Sequence, residues 1–293
     1  MALKWLDKRL KWVFTLPAVL FVALMMVFPL GYTIRLSFFE WSMSAINPPK
    51  WVGLDNYKEL LSGERFWHDF GITFYFTFAA VIVQMVLGVL IAVLLNRKGK
   101  GKNVAKTIFL MPMVATPIAM GMVWLLIFEP SIGVLNTILK TFGLNPLEWL
   151  GSVNQVIPSL IIIDTWQWTP MICLLLLAGL TTLPQDPYES ADVDGASAWQ
   201  KFIYITLPLL RPTILVALML RMIDALKTFD IIFATTQGGP GSSSETLNIY
   251  GYILAFQNFK LGLASSLLVL FFLLVLGMTL GVIWLRKRLE VAS

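Results

Sequence analysis

The sequence predicts an all-α polytopic membrane protein of six transmembrane helices, with a helix–glycine–helix segment outside the membrane. Three observations predict it. Of the 293 residues, 57% are hydrophobic and only 13% charged, too few to coat a water-soluble domain of this size. Several apolar runs reach about twenty residues, which at about 1.5 Å rise per residue crosses a hydrocarbon core of about 30 Å. Lys and Arg gather at alternate ends of these runs, as membrane topology requires. One histidine and one cysteine leave too little for a His/Cys metal cluster, and Cys173 alone forms no intrachain disulfide.

Residues 1–11 carry Lys4, Lys8, Arg9 and Lys11 and are expected to be a cytoplasmic N-terminus. Basic residues before an apolar run resemble a signal peptide. Here the run is too long for its apolar core and lacks a small-residue cleavage site, so it is expected to stay as an anchor. The six spans are placed at about Trp12–Ile34, Ile72–Leu95, Thr107–Phe128, Val156–Leu180, Pro212–Thr235 and Leu261–Leu285. They make one transmembrane domain over 12–285, followed by a tail over 286–293. Between the first two spans, Asp55 to Phe70 has the pattern of a short amphipathic helix on the outer surface. Gly277 and Gly281 in the last span have the small-xxx-small spacing of close helix packing.

Orientation follows from the basic residues. Lys4, Lys8, Arg9, Lys11, Arg97, Lys98, Lys100, Lys102, Lys106, Lys201, Arg211, Arg286, Lys287 and Arg288 fall on one side. Only Arg35, Lys50, Lys58, Arg65, Lys140 and Lys260 fall on the other. The excess puts both termini in the cytoplasm. It also accounts for the net charge of +5 without a nucleic-acid partner. The "RKGKGK" run from Arg97 lacks the glycine and Ser/Thr positions of a phosphate-binding Walker loop.

Asp186 to Ala196 reads "DPYESADVDGA", four carboxylates in eleven residues on the cytoplasmic side. Asp186 fits an N-cap acceptor, Pro187 the first helical position, and Glu189 an acid in the first turn. Gly195 suits the left-handed residue that ends a helix, and Ser197 with Gln200 has the capping-box spacing of a second one. Alone, these residues leave open a metal or acid/base pair at Glu189 and Asp192, a solvated loop, or a docking surface.

The stretch "ESADVDGASAWQKFIYITLPLLRP" resembles the EAA loop of ABC-importer permeases. Glu189-Ser190-Ala191 stands for the acidic-small-small triplet, with serine where the family has alanine. Gly195 follows six residues after the Glu, and Ile205-Thr206-Leu207-Pro208 closes the motif. "WVGLDNY" from Trp51 and "TTQGGPGSSSETL" from Thr235 are similar to the carbohydrate-uptake branch, on the side of its maltose-permease-like first subunit. The resemblance covers about Trp12 to Arg288.

It implies a type I importer permease fold in a bacterial cytoplasmic membrane, carrying a sugar, polyol or sugar derivative. It implies four kinds of partner: a homologous second permease, two cytoplasmic ABC ATPase subunits, an extracytoplasmic sugar-binding protein and membrane lipid. The loop over 182–211 becomes the coupling element, with Glu189, Ser190, Ala191, Asp192, Asp194 and Gly195 at the ATPase contact. No catalytic residue, metal ligand or cofactor is expected in this chain, ATP and Mg being bound by the partner ATPase.

Ionisable residues within spans are candidates for a transported ligand. Asp164, Gln167, Trp168 and Met171 follow i, i+3, i+4, i+7 and share a helical face near mid-membrane; Arg221, Asp224, Ala225 and Thr228 repeat the spacing. In register on Pro170 and Gly238-Gly239-Pro240, the resemblance carries the family's substrate contacts onto these two faces. Two other readings stay open. Arg221 and Asp224 can simply pair, and an ion-coupled secondary transporter would use Asp164 and Asp224 as ion or proton sites. Lys227 and Asp230 point off the second face and are expected to pair structurally, while Trp166 is expected to pack.

Overall fold

The computed structural model describes residues 2–42, 48–96 and 101–291. Arg97, Lys98 and Lys100 of the basic run lie outside the described residues, as do residues 1, 292 and 293 of the termini. In chain order come α1 (Ala2–Leu36), the strands β1 (Phe39–Glu40) and β2 (Lys50–Trp51), α2 (Asp55–Ser62), α3 (Glu64–Asn96) and α4 (Lys102–Leu110). Then follow α5 (Pro117–Ile127), α6 (Val134–Thr141), α7 (Val156–Thr181), α8 (Asp186–Val193) and α9 (Ala198–Lys201). The last are α10 (Leu207–Leu226), α11 (Asp230–Thr235), α12 (Leu247–Tyr252) and α13 (Leu261–Val291). Among the described residues, five helices are long and apolar enough to cross a membrane, six if one bent pair counts as a span.

The chain divides into two compact units. In the unit of residues 1–66 and 251–273, β1 pairs antiparallel with β2, Phe39 opposite Trp51. Asn56, buried, donates to Ser37 O at 2.9 Å and Phe39 O at 3.0 Å, and Ser266 Oγ donates to Ser37 O at 2.9 Å. These bonds satisfy backbone carbonyls freed where α1 ends, which would otherwise be costly to bury. The amphipathic segment expected over Asp55–Phe70 is broken at Gly63, whose extended backbone separates α2 from α3.

In the unit of residues 67–250 and 274–293, α7 is the buried centre. Ile172, Cys173, Leu176, Leu210, Ala217 and Ala92 form a fully buried cluster that joins α3, α7 and α10. Two glycines allow the approach. A Cβ at Gly88 would meet Ile172 at 2.6 Å, and one at Gly179 would meet Thr213 at 2.6 Å. Gly277 and Gly281 have nothing within 4 Å, so the spacing that suggested close packing has no partner among the described residues.

Two expected spans are not continuous helices. Over Thr107–Phe128 the chain bends by 100° between Asn103–Val114 and Pro117–Ile127. Pro117 forces Thr116 extended (φ −67°, ψ 138°), because a residue before proline clashes in the helical region. Over Pro212–Thr235, α10 stops at Leu226 and α11 restarts at Asp230, where a carboxylate favours the first turn. At its other end α10 starts before Pro212, at Leu207, preceded by a π turn over Phe202–Thr206. The π turn routes the Leu207 N–H to Phe202 O, so the helix continues past Pro208.

The glycine contacts predict opposite outcomes for two leucine substitutions. Gly179→Leu overpacks the α7–α10 contact at a cost of about 1–3 kcal/mol, and the detergent-solubilised chain should melt lower and accumulate less. Gly281→Leu should melt as the parent does. Equal melting of the two variants contradicts this packing.

Candidate functional site

The polar heart of the larger unit is built from α3, α7 and α10. Arg221 on α10 and Asp164 on α7 are both fully buried and joined through Nη2 and Oδ2. Arg221 Nη1 donates to Asp224 Oδ2 at 2.8 Å, one helical turn along. Its Nε donates to Gln84 Oε1 of α3 at 2.6 Å, and Gln84 Nε2 donates to Asp164 Oδ2 at 2.7 Å. The guanidinium carbon lies 5.4 Å from the centroid of the Trp168 ring, within cation–π range. Burial in low dielectric makes such a group costly unless it is fully bonded, and this guanidinium is bonded on all three nitrogens.

The two sequence-derived faces therefore meet, though not all of their members share one opening. A cavity of about 150 Å³ is lined by Pro117, Trp168, Asp224, Lys227, Thr228 and Asp230 with their neighbours. Asp224 reaches it with a side chain 46% exposed. Asp164 and Arg221 lie behind it, in the ion pair. Gln167 is buried and turned to the bend in the third span, its Nε2 donating at 3.2 Å to Ala115 O, a carbonyl left without a helical partner there. Ala225 is core, and Met171 is half-buried away from the cavity lining. Trp166 packs edge-on against Trp124 at 5.7 Å.

Two features escaped the sequence reading. Gln84 is one, although a lone amide in the apolar run of α3 is itself a signal. The other is the place of Lys227 and Asp230 on the cavity wall, where the structural pairing expected of them does not form. No ion pair joins them among the described residues, and both face the cavity, because α10 ends at Leu226 and the chain turns there.

The acidic segment is two short helices around a glycine. The helix start differs by one residue from expectation: Gln185, not Asp186, is the N-cap, and no side chain caps it. Its end is a Schellman motif. Gly195 sits at φ +73°, its N–H bonds Asp192 O at 3.2 Å, and Ala196 N–H bonds Ala191 O at 2.9 Å. Ser197 and Gln200 form the capping box of α9. Lys201 Nζ meets Asp192 Oδ1 at 2.5 Å, and Tyr188 Oη donates to Thr206 Oγ1 at 3.0 Å, tying the two helices together. Glu189, Ser190, Asp192, Asp194 and Gly195 are exposed and Ala191 half-exposed, beside Val193 (88% exposed) and Trp199 (68%). Among the described residues, no three acidic, His or Cys side chains converge to hold a metal ion.

Residues 84–291 match the family described as binding-protein-dependent transport system inner membrane component. The chain is 38% identical over 281 residues to the trehalose/maltose transport system permease protein MalF of Thermococcus litoralis, covering 95% of this chain and 94% of that one. It is 34% identical over 286 residues to the sulfoquinovosyl glycerol transport system permease protein SmoG of Agrobacterium fabrum, covering 97% and 92%. Among solved structures it matches, with TM-score 0.84 and 25% identity over 97% and 98% of the chains, a bacterial ABC transporter involved in the import of the acidic polysaccharide alginate.

The buried pair predicts a thermodynamic cycle. Arg221→Met leaves the Asp164 carboxylate buried without its cation, a loss of about 3–5 kcal/mol. Adding Asp164→Leu should recover most of the stability, read by thermal melting and by the folded amount in membranes. A double variant no better than the single one contradicts the pairing.

Proposed function

The chain belongs to the binding-protein-dependent transport system inner membrane components, and on that premise we propose that it moves a sugar, polyol or sugar derivative through the cavity beside Trp168. It is a multi-pass transport subunit. Its role requires a homologous second permease, two cytoplasmic ATPase subunits that bind ATP and Mg, and an extracytoplasmic sugar-binding protein. The basic residues orient it with both termini and the acidic segment in the cytoplasm of a bacterium. There Glu189, Ser190, Ala191, Asp192, Asp194 and Gly195 face the ATPase.

The observation that carries the reading is the convergence of Trp168, Asp224 and Thr228 on one small cavity. An indole face stacks on the apolar face of a sugar ring, while a carboxylate and a hydroxyl take its hydroxyl groups. Relatives named for trehalose/maltose and for sulfoquinovosyl glycerol agree with a glycoside. Asp164 and Gln167 stand behind this surface, Asp164 within the ion pair, Gln167 at the bend. Arg221 is matched by two carboxylates, so its charge does not select an acidic ligand. The same bonds argue against an ion-coupled carrier, since Asp164 and Asp224 are already held by a guanidinium.

The coupling segment fits its role mechanically. The Schellman turn, the capping box and the Lys201–Asp192 pair make α8 and α9 a stiff unit that continues through the π turn into α10, and α10 carries Arg221 and Asp224. Force applied at Glu189 thus has a helical route to the cavity.

Uptake of the sugar released from the copurified binding protein tests the site. Asp224→Asn should raise half-saturation about tenfold or more, the worth of a hydrogen bond to a charged group. Trp168→Ala should raise it as well. Both variants should copurify with ATPase and second permease in normal amounts. Unchanged half-saturation in both removes the cavity as the sugar site.

A further inference from the structure

Gln84 takes no part in the cavity lining and is fully buried, yet it occupies a distinctive place in the network. Its amide stands between the two members of the ion pair, receiving from Arg221 Nε at 2.6 Å and donating to Asp164 Oδ2 at 2.7 Å. The chemistry fixes which way the amide faces. Arg221 Nε–H only donates, so the atom opposite it is Oε1. The carboxylate only accepts, so the atom opposite it is Nε2. A carboxylate at this position has no donor for Asp164, a lysine has no acceptor for Arg221, and an aliphatic residue has neither.

The consequence is geometric. With Nε held by Gln84 and Nη2 held by Asp164, the guanidinium plane is pinned along one edge and cannot rotate about its stem. Nη1 is then directed to Asp224 at 2.8 Å, and the Trp168 ring lies 5.4 Å from the guanidinium carbon. Both of those residues line the cavity. We propose that Gln84 is a positioning residue for sugar recognition: through Arg221 it sets the Asp224 carboxylate in its binding geometry without touching the ligand. The inference rests on the cavity being the sugar site. It assigns to α3, which contributes nothing to the cavity wall, control over affinity there.

A residue that merely glues α3 to α7 and α10 would affect assembly and melting. A positioning residue affects half-saturation, and does so only while Asp224 is there to be positioned. The test uses the assembled transporter in proteoliposomes, with the second permease, ATPase and binding protein present. The probe is the sugar eluted from that binding protein, radiolabelled. Gln84→Leu should raise half-saturation about tenfold with maximal rate nearly kept. In an Asp224→Asn background, Gln84→Leu should add little further, because residues acting through one another are not additive. Gln84→Met, close in size and without an N–H donor, should fail as Gln84→Leu does.

Unchanged half-saturation in Gln84→Leu, with Asp224→Asn shifted, overturns the inference and leaves the sugar site standing. Additive effects of the two substitutions also overturn it. Unchanged half-saturation in Asp224→Asn overturns the inference, and unchanged half-saturation in Trp168→Ala as well removes the sugar site with it. If Gln84→Leu does not assemble, Gln84→Asn, which keeps both polar atoms but draws them back one methylene, is read in the same cycle.

Discussion

One buried ion pair organises the larger unit. In a chain that is 57% hydrophobic, Arg221 and Asp164 are both wholly removed from solvent. Desolvating either ion alone costs several kcal/mol, so the pair persists only where geometry is good and remaining donors are satisfied. Gln84 and Asp224 bond the remaining guanidinium nitrogens, leaving Asp164 Oδ1 as the pair's one buried oxygen without a partner among the described residues, and together the four side chains fasten α3, α7 and α10 at one level. The apolar cluster around Ile172 and Leu210, and the glycine contacts at Gly88 and Gly179, let the three helices come close enough for the bonds to form. Transmembrane helices gain little from hydrophobic burial against one another, so small residues and polar links carry more of the association.

The second constraint is backbone hydrogen bonding at helix breaks. A membrane-spanning chain tolerates non-helical backbone only where protein groups satisfy it. Both breaks here serve the cavity. The bend before Pro117 brings that proline to the wall and frees Ala115 O, which Gln167 takes up. The interruption after Leu226 turns Lys227, Thr228 and Asp230 into the opening. Gln167, chosen from spacing as a ligand contact, is bonded to the scaffold.

Much of this was legible in the sequence because it depends on local chemistry. Apolar run length marks the membrane helices, and the all-α class follows. Gly195, Ser197 and Gln200 announce the helix–glycine–helix segment because left-handed backbone and capping oxygens are properties of single residues. What was not legible depends on partners far along the chain. Gln84 lies 80 residues from Asp164 and 137 from Arg221, and no periodicity links them. The split of the fifth expected span was masked because apolar residues resume at Phe229 and Ile231–Phe233, although Lys227, Thr228 and Asp230 interrupt them. The bend in the third was signalled by Pro112 and Pro117, but span length masked it. Gly277 and Gly281 show the converse, a packing pattern that meets no partner among the described residues. The N-cap at Gln185 shows how little a one-residue boundary difference alters a helix.

From the glycine break beside the acidic segment, α9, the π turn and α10 run as continuous helix to the cavity, the route of an ATP-powered mechanism. The most direct measurement is uptake by the assembled transporter in proteoliposomes, with binding protein present and ATP or an ion gradient supplied separately. The account predicts accumulation that requires ATP, persists when ionophores collapse proton and sodium gradients, and disappears when the ATPase subunits are omitted. Accumulation driven by an imposed ion gradient in the absence of ATP would contradict it.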